Sequence, residues 1–133
     1  MSIRADFYIG IREPDFLGSL STDGEPWNIA CRVLIQVNKT MYQETVIEFL
    51  ENMKTGIPEK WLWAWPDSKY TDYTYFFSNA YGKVFAWSKE EEMMFDPLKI
   101  MQGEDLNSAR LSINPTFPKM GAPLNGQATA KAV

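Results

Sequence analysis

Between Trp61 and Trp87 the chain carries eleven aromatic side chains, among them Trp61, Trp63, Trp65, Tyr73 and Tyr75, a density no other stretch approaches. Each aromatic that leaves water buries about 150–250 Å², so such a run dominates whatever core or binding surface the chain builds. Tyr73 to Phe77 and Lys83 to Trp87 flank Ser78-Asn79-Ala80-Tyr81-Gly82. A five-residue connection with Asn and Gly between aromatic, β-branched runs is the pattern of a β-hairpin, which gives two strands. The alternating tyrosines then have two readings: they fill a core beneath a helix, which is the plainer one, or they form a stacking platform for bases, sugars or a proline-rich peptide.

The rest of the chain supplies the other layers of an α+β domain. Phe7, Ile9 and Ile11 alternate with Tyr8, Gly10 and Arg12, the period of a half-buried strand, and Glu13-Pro14-Asp15 interrupts it. Phe16 to Ser21 reads as a return strand ended by the turn Asp23-Gly24-Glu25-Pro26. Ile29 to Val37 is apolar and β-branched, which predicts a third strand, although a buried helical turn has the same signature. A helix is predicted from Thr40, where Thr40 and Gln43 fit a capping box. Tyr42, Val46, Phe49, Leu50 and Met53 form its apolar stripe. Gly56 and Pro58 are expected to end it near Thr55. The acids Glu90, Glu91 and Glu92 after Ser88 suggest a short helix through Phe95, closed by Pro97. The expected fold is therefore a small antiparallel sheet of about five strands with one main amphipathic helix on one face.

Composition excludes more functions than it suggests. With 133 residues there is room for one domain. The net charge of -4 opposes the counterion-release term behind nucleic-acid affinity, so no nucleic-acid partner is expected. No histidine is present, which removes the commonest general base and metal ligand. No catalytic residue, metal or cofactor is assigned. Cys31, the single cysteine, lies in an apolar run and is expected to be buried and inert. No run has signal-peptide or membrane-span character, so the expected location is the cytoplasm. Asp67 and Asp72, with Ser68 and Thr71 between them, read as turn formers before they read as a cation site. Asp6 and Asp23 would join them in a carboxylate cluster only if the two hairpins met.

From Glu104 onward the composition changes to one aromatic, Phe117, and the three prolines Pro115, Pro118 and Pro123. Such a segment cannot offset its own ordering entropy. The division expected is a domain over 1–103 and an extended C-terminal arm over 104–133, whose apolar residues Leu111, Ile113, Phe117, Met120 and Leu124 would lie on a neighbouring subunit. Ser108, Ser112 and Thr116 are modifiable hydroxyls in the same arm.

Ala5-Asp6-Phe7-Tyr8-Ile9-Gly10, Leu17-Gly18-Ser19, Asp23-Gly24, Trp63 to Trp65, Asp67-Ser68, Thr71-Asp72-Tyr73-Thr74-Tyr75 and Gly82-Lys83-Val84 together resemble a group of small uncharacterised bacteriophage and bacterial proteins. In that group an A-D-F-Y-V-G start precedes W-L-G-S, and a W-P-W stretch with T-D-Y-x-Y precedes a G-K-V strand. The likeness covers about residues 5 to 87 and leaves out Ile29 to Gln36 and everything after Ser88. It implies a phage-linked setting, in the host cytoplasm or a phage particle, and carries no activity. The expected function is that of a non-enzymatic interaction or structural protein that contacts a protein partner or its own copy through the arm. The alternative is a small binding protein that uses the segment 61–87 as a pocket.

Overall fold

The computed structural model describes residues 3–11, 14–53, 56–58 and 71–111, with the backbone alone at Gly56–Pro58. The chain runs β1 (Ala5–Ile9), β2 (Asp15–Leu20), a 3-10 turn (Pro26–Asn28), α1 (Cys31–Leu34), α2 (Lys39–Asn52) and β3 (Gly56–Pro58). It continues with β4 (Tyr73–Ser78), β5 (Lys83–Ser88), β6 (Met93–Phe95), α3 (Pro97–Met101), α4 (Leu106–Ala109) and β7 (Arg110–Leu111). The strands form one sheet in the order β3-β2-β1-β4-β5-β6-β7. This is an α+β fold, as the sequence predicts, with two differences in the sheet. It has seven described strands, and it is mixed rather than wholly antiparallel, because β1 and β4 run parallel, Ala5 opposite Tyr73 through Ile9 opposite Phe77. Parallel neighbours need a long crossover, and the passage through α1 and α2 lies within it.

Period-two geometry sorts the strand residues onto two buried faces. On one, Phe7, Ile9, Tyr75, Phe77, Val84 and Ala86 pack with Tyr42, Val46, Phe49 and Leu50 of α2 in the main core. Phe7 stacks on Tyr75 with centroids 5.2 Å apart and meets Phe49 edge-on at 6.3 Å. On the other, Tyr8, Phe76, Phe85 and Met94 form a second buried cluster to which no described helix contributes. The alternation read as a half-buried strand is thus corrected: all five residues of β1 are buried, because Tyr8 acts as an aromatic on its own face.

The α2 stripe is found where the spacing puts it, but its ends differ. Asn38, extended at φ −127°, caps the helix by accepting from the Met41 amide at 3.1 Å, so Thr40 falls in the first turn and the Thr40–Gln43 box is not the cap. The helix stops at Asn52, and Gly56–Pro58 pairs with Gly18–Leu20 instead of forming a left-handed terminus. Pro58 is tolerated there because this is an edge strand.

Four further expectations are overturned. Ile29 to Val37 is no strand: α1 occupies Cys31–Leu34, with Val33 and Leu34 buried and Ile35 and Val37 exposed. Cys31 is exposed, since a helical turn turns it away from the side that buries Val33 and Leu34. Met93–Phe95 is a strand paired to Ala86–Ser88, not a helix. Glu92, at φ 53°, turns the chain into it. Pro97 opens α3 rather than closing an element, because proline's missing N–H costs nothing at the first helical position. Asp96 caps that helix through the Leu98 amide at 3.0 Å and takes the Lys83 ammonium at 2.6 Å.

The turn 23–26 is held by close backbone contact. A Cβ on Gly24 would stand 2.7 Å from Ala5 Cβ and 2.8 Å from Ala5 N, so only glycine fits where this turn crosses β1. Residues 106–111, the start of the segment expected as an arm, belong to the described body: Ala109 is in the core and Leu111 pairs with Met94. Ile113, Phe117, Met120 and Leu124 lie outside the described residues, as do Trp61, Trp63 and Trp65. No described helix is long and apolar enough to cross a membrane.

Candidate functional site

The β4–β5 ladder opens at its far end from the hairpin loop, where Tyr73 faces Ser88. Three loops meet there. Arg4 precedes β1 and holds Asp72 from both sides, its amide donating to Asp72 Oδ2 at 2.9 Å and its carbonyl accepting from the Asp72 amide at 3.0 Å. The Lys89 amide donates to the Asp72 carbonyl at 3.0 Å, which fixes the 89–92 turn beside it. The third loop is the 3-10 turn, anchored through Gly24: its amide donates to the Ile3 carbonyl at 2.9 Å, and its carbonyl accepts from the Tyr75 hydroxyl at 2.7 Å.

Between these loops lies a cavity of about 210 Å³ lined by Ile3, Glu25, Trp27, Asp72, Tyr73, Ser88 and Glu90. Two walls are aromatic. Trp27 is 59% exposed, unusual for a side chain whose indole gains so much on burial. Tyr73 is half-buried and stacked on Tyr75 at 6.4 Å. The other walls are acidic. One Glu25 oxygen accepts from the Asn28 side chain at 3.0 Å and one Asp72 oxygen from the Arg4 amide, which leaves each carboxylate with a second oxygen uncommitted among the described residues. Glu90 is exposed, and no described cation pairs with Glu25, Asp72 or Glu90. Ser88 is buried and its Oγ accepts from the Glu91 amide at 3.2 Å.

The electrostatics of the notch register on Tyr73, whose phenol is pushed above its usual value by burial and then by the carboxylates of Glu25, Glu90, Asp72 and Glu91. A cavity with aromatic walls and unneutralised carboxylates attracts a cation by ring quadrupole and charge together. It suits a small guest, because pockets for whole metabolites run to about 300–1,000 Å³. A larger depression of about 570 Å³ lies along α2, but the described residues that line it, including Glu44, Ile47 and Glu48, all come from that one helix.

The structure divides the expected site residues. Tyr73 lines the notch; Tyr75 is fully buried, and its hydroxyl is spent on Gly24. Asp72 is a wall residue, while Thr71 is buried beside Thr74. Asp6 is buried in the sheet, accepting from Ser19 Oγ at 2.6 Å, with the Arg4 guanidinium 3.5 Å away. It therefore joins no cluster with the exposed Asp23. No group of three or more acidic or cysteine side chains among the described residues could hold a metal. None of Glu25, Trp27 and Glu90 is a site candidate in the sequence, where Glu25 reads as a turn residue and Glu90 as a helix start; the signal that marks Glu25 and Trp27 is a tryptophan beside an acid and a proline in a turn, and nothing local marks Glu90. Comparison with protein-family models, with curated proteins and with solved structures gives no match.

Proposed function

We propose that the chain is a non-enzymatic interaction protein that receives a basic side chain of a protein partner in the notch between the 3-10 turn and the β4–β5 ladder. The observation that carries this reading is Trp27, exposed over an acidic cavity of side-chain size. A solvent-exposed indole gains on being covered, and three carboxylates without a described counter-ion favour a cationic cover. This joins the aromatic segment, through Tyr73, to an acidic turn that lies well before it in sequence.

The test is heteronuclear NMR titration of the full chain with short basic peptides beside acidic peptides of equal length. Binding of the basic set, weakened by salt and lost in Trp27→Ala, is expected; Trp27 is exposed enough for that variant to fold. Equal binding to Trp27→Ala, or no binding by any basic peptide, overturns the proposal.

A second reading has one observation in its favour. Among the described strands β7 lies at the edge of the sheet with Arg110 exposed, and the backbone donors and acceptors of an edge strand are the usual place for another chain to add. On that reading the part of the expected arm beyond β7, residues 112–133, contacts a neighbouring subunit in a larger assembly, in keeping with the phage-linked setting that the sequence resemblance implies.

A further inference from the structure

The notch also carries enough detail to name the kind of cation it selects. Resting on the reading above, we infer that the guest is the guanidinium of an arginine in the partner, in preference to a lysine ammonium or a methylated ammonium. Three features support the choice. First, the acceptors are several and come from different directions: the second oxygen of Glu25 from the 3-10 turn, the second oxygen of Asp72 from the start of β4, and both oxygens of Glu90 from the turn after β5. A quaternary ammonium has no N–H to give them, and a compact ammonium has three donors clustered at one point, whereas a guanidinium spreads five over a plane. Second, among the described residues the aromatic walls are Trp27 and Tyr73, and the polar walls are the carboxylates and Ser88. A methylated ammonium is held by enclosure in aromatic rings, while a guanidinium stacks on one face and bonds along its edge. Third, the volume of about 210 Å³ is below that of pockets for whole metabolites. It admits the end of a side chain, which assigns the cation to a protein rather than to a free metabolite.

Lys89 stands next to Glu90 in sequence, but it is exposed and pairs with no described carboxylate. Arg4 directs its guanidinium to Asp6. Among the described residues, then, neither Arg4 nor Lys89 forms an ion pair with Glu25, Asp72 or Glu90.

The experiment uses the full chain and four blocked pentapeptides, Gly-Ser-X-Ser-Gly, in which X is arginine, lysine, trimethyllysine or citrulline, followed by NMR through the Trp27 indole N–H. Arginine is expected to bind tightest, lysine about fivefold more weakly, and citrulline, which keeps the shape and loses the charge, not measurably. Glu90→Gln should reduce the arginine-over-lysine ratio, and Trp27→Ala should weaken arginine most. Lysine binding as tightly as arginine, or trimethyllysine binding tightest, overturns the guanidinium assignment and leaves the notch as a cation site. Failure of all three charged peptides overturns both.

Discussion

Two buried tyrosines make the same substitution, Tyr→Phe, a test with opposite expected signs. Tyr42 and Tyr75 are both fully buried in the main core. The Tyr75 hydroxyl donates to the Gly24 carbonyl at 2.7 Å, whereas the Tyr42 hydroxyl, on α2 and with its ring stacked 5.3 Å from Phe77, has no hydrogen-bond partner among the described residues. An unsatisfied buried hydroxyl costs about 1–3 kcal/mol, and a satisfied one contributes about 0.5–1.5 kcal/mol net. Removing the Tyr42 oxygen abolishes a penalty and leaves a void smaller than a methyl group, so Tyr42→Phe should stabilise by about 1 kcal/mol. Removing the Tyr75 oxygen breaks a bond and strands the Gly24 carbonyl, so Tyr75→Phe should destabilise by about 1–2 kcal/mol. Near the midpoint of thermal unfolding 1 kcal/mol corresponds to about 3–5 °C for a chain of this length. Thermal and urea denaturation of the two variants beside the parent, followed by far-ultraviolet circular dichroism, reads both signs. A Tyr42→Phe variant less stable than the parent by 1 kcal/mol or more would refute the reasoning, because the hydroxyl would then have a partner, a buried water included.

Alkaline pH acts on the same residues. Burial raises the phenol of Tyr42 far above its usual value and raises Tyr75 well above it, while Tyr73 is raised by burial and neighbouring carboxylates. Below about pH 10 these groups are protonated in both states and contribute no pH dependence; above it the unfolded chain releases protons that the native chain keeps, so stability falls as pH rises. Urea midpoints from neutral pH to about pH 11 should drop with a slope of up to about 1.4 kcal/mol per pH unit for each of Tyr42 and Tyr75; a flat profile would contradict the burial. Gly24→Ala should destabilise by about 1–3 kcal/mol, because its Cβ would meet Ala5 Cβ at 2.7 Å and backbone atoms of Ala5 and Arg4 at 2.8 and 2.9 Å. Denaturation midpoints check it, and an unchanged midpoint would mean that the turn and β1 separate freely.

What was legible in the sequence is what local period and turn chemistry determine. The hairpin around Ser78–Gly82 and the stripe Tyr42, Val46, Phe49 and Leu50 came through because each is fixed by residues close in sequence. The cap at Asn38 was missed because Asn38 and Thr40 are both good cap residues two positions apart, and the choice depends on where the preceding chain arrives extended. Ile29 to Val37 fits a strand and a short buried helix equally, because β-branched apolar residues satisfy both; burial of Val33 and Leu34 in the main core decides for the helix. Glu90 to Glu92 fitted a helix start by charge, but the pairing of Met93–Phe95 with β5 buries three apolar residues that a short exposed helix would leave half wet. Leu111 looked like arm by composition, and its place in the sheet is a long-range fact.

The candidate site was illegible for a related reason. Its walls come from residues 3, 25, 27, 72, 73, 88 and 90, and no window of sequence holds them together. What joins them is the parallel pairing of β1 with β4, which brings Arg4 to Asp72, and the contact of Gly24 with Ala5, which lays the 3-10 turn beside it. Of the described aromatics in the segment 61–87, Tyr75 and Phe77 are core and Tyr73 lines the notch. Trp27, on which the proposed binding rests, stands apart from that segment in a turn. A tryptophan in a core position is explained by the core; one held in the open by Pro26 and a three-residue turn has no such explanation, and an acid on its flank supplies the chemistry of what would cover it.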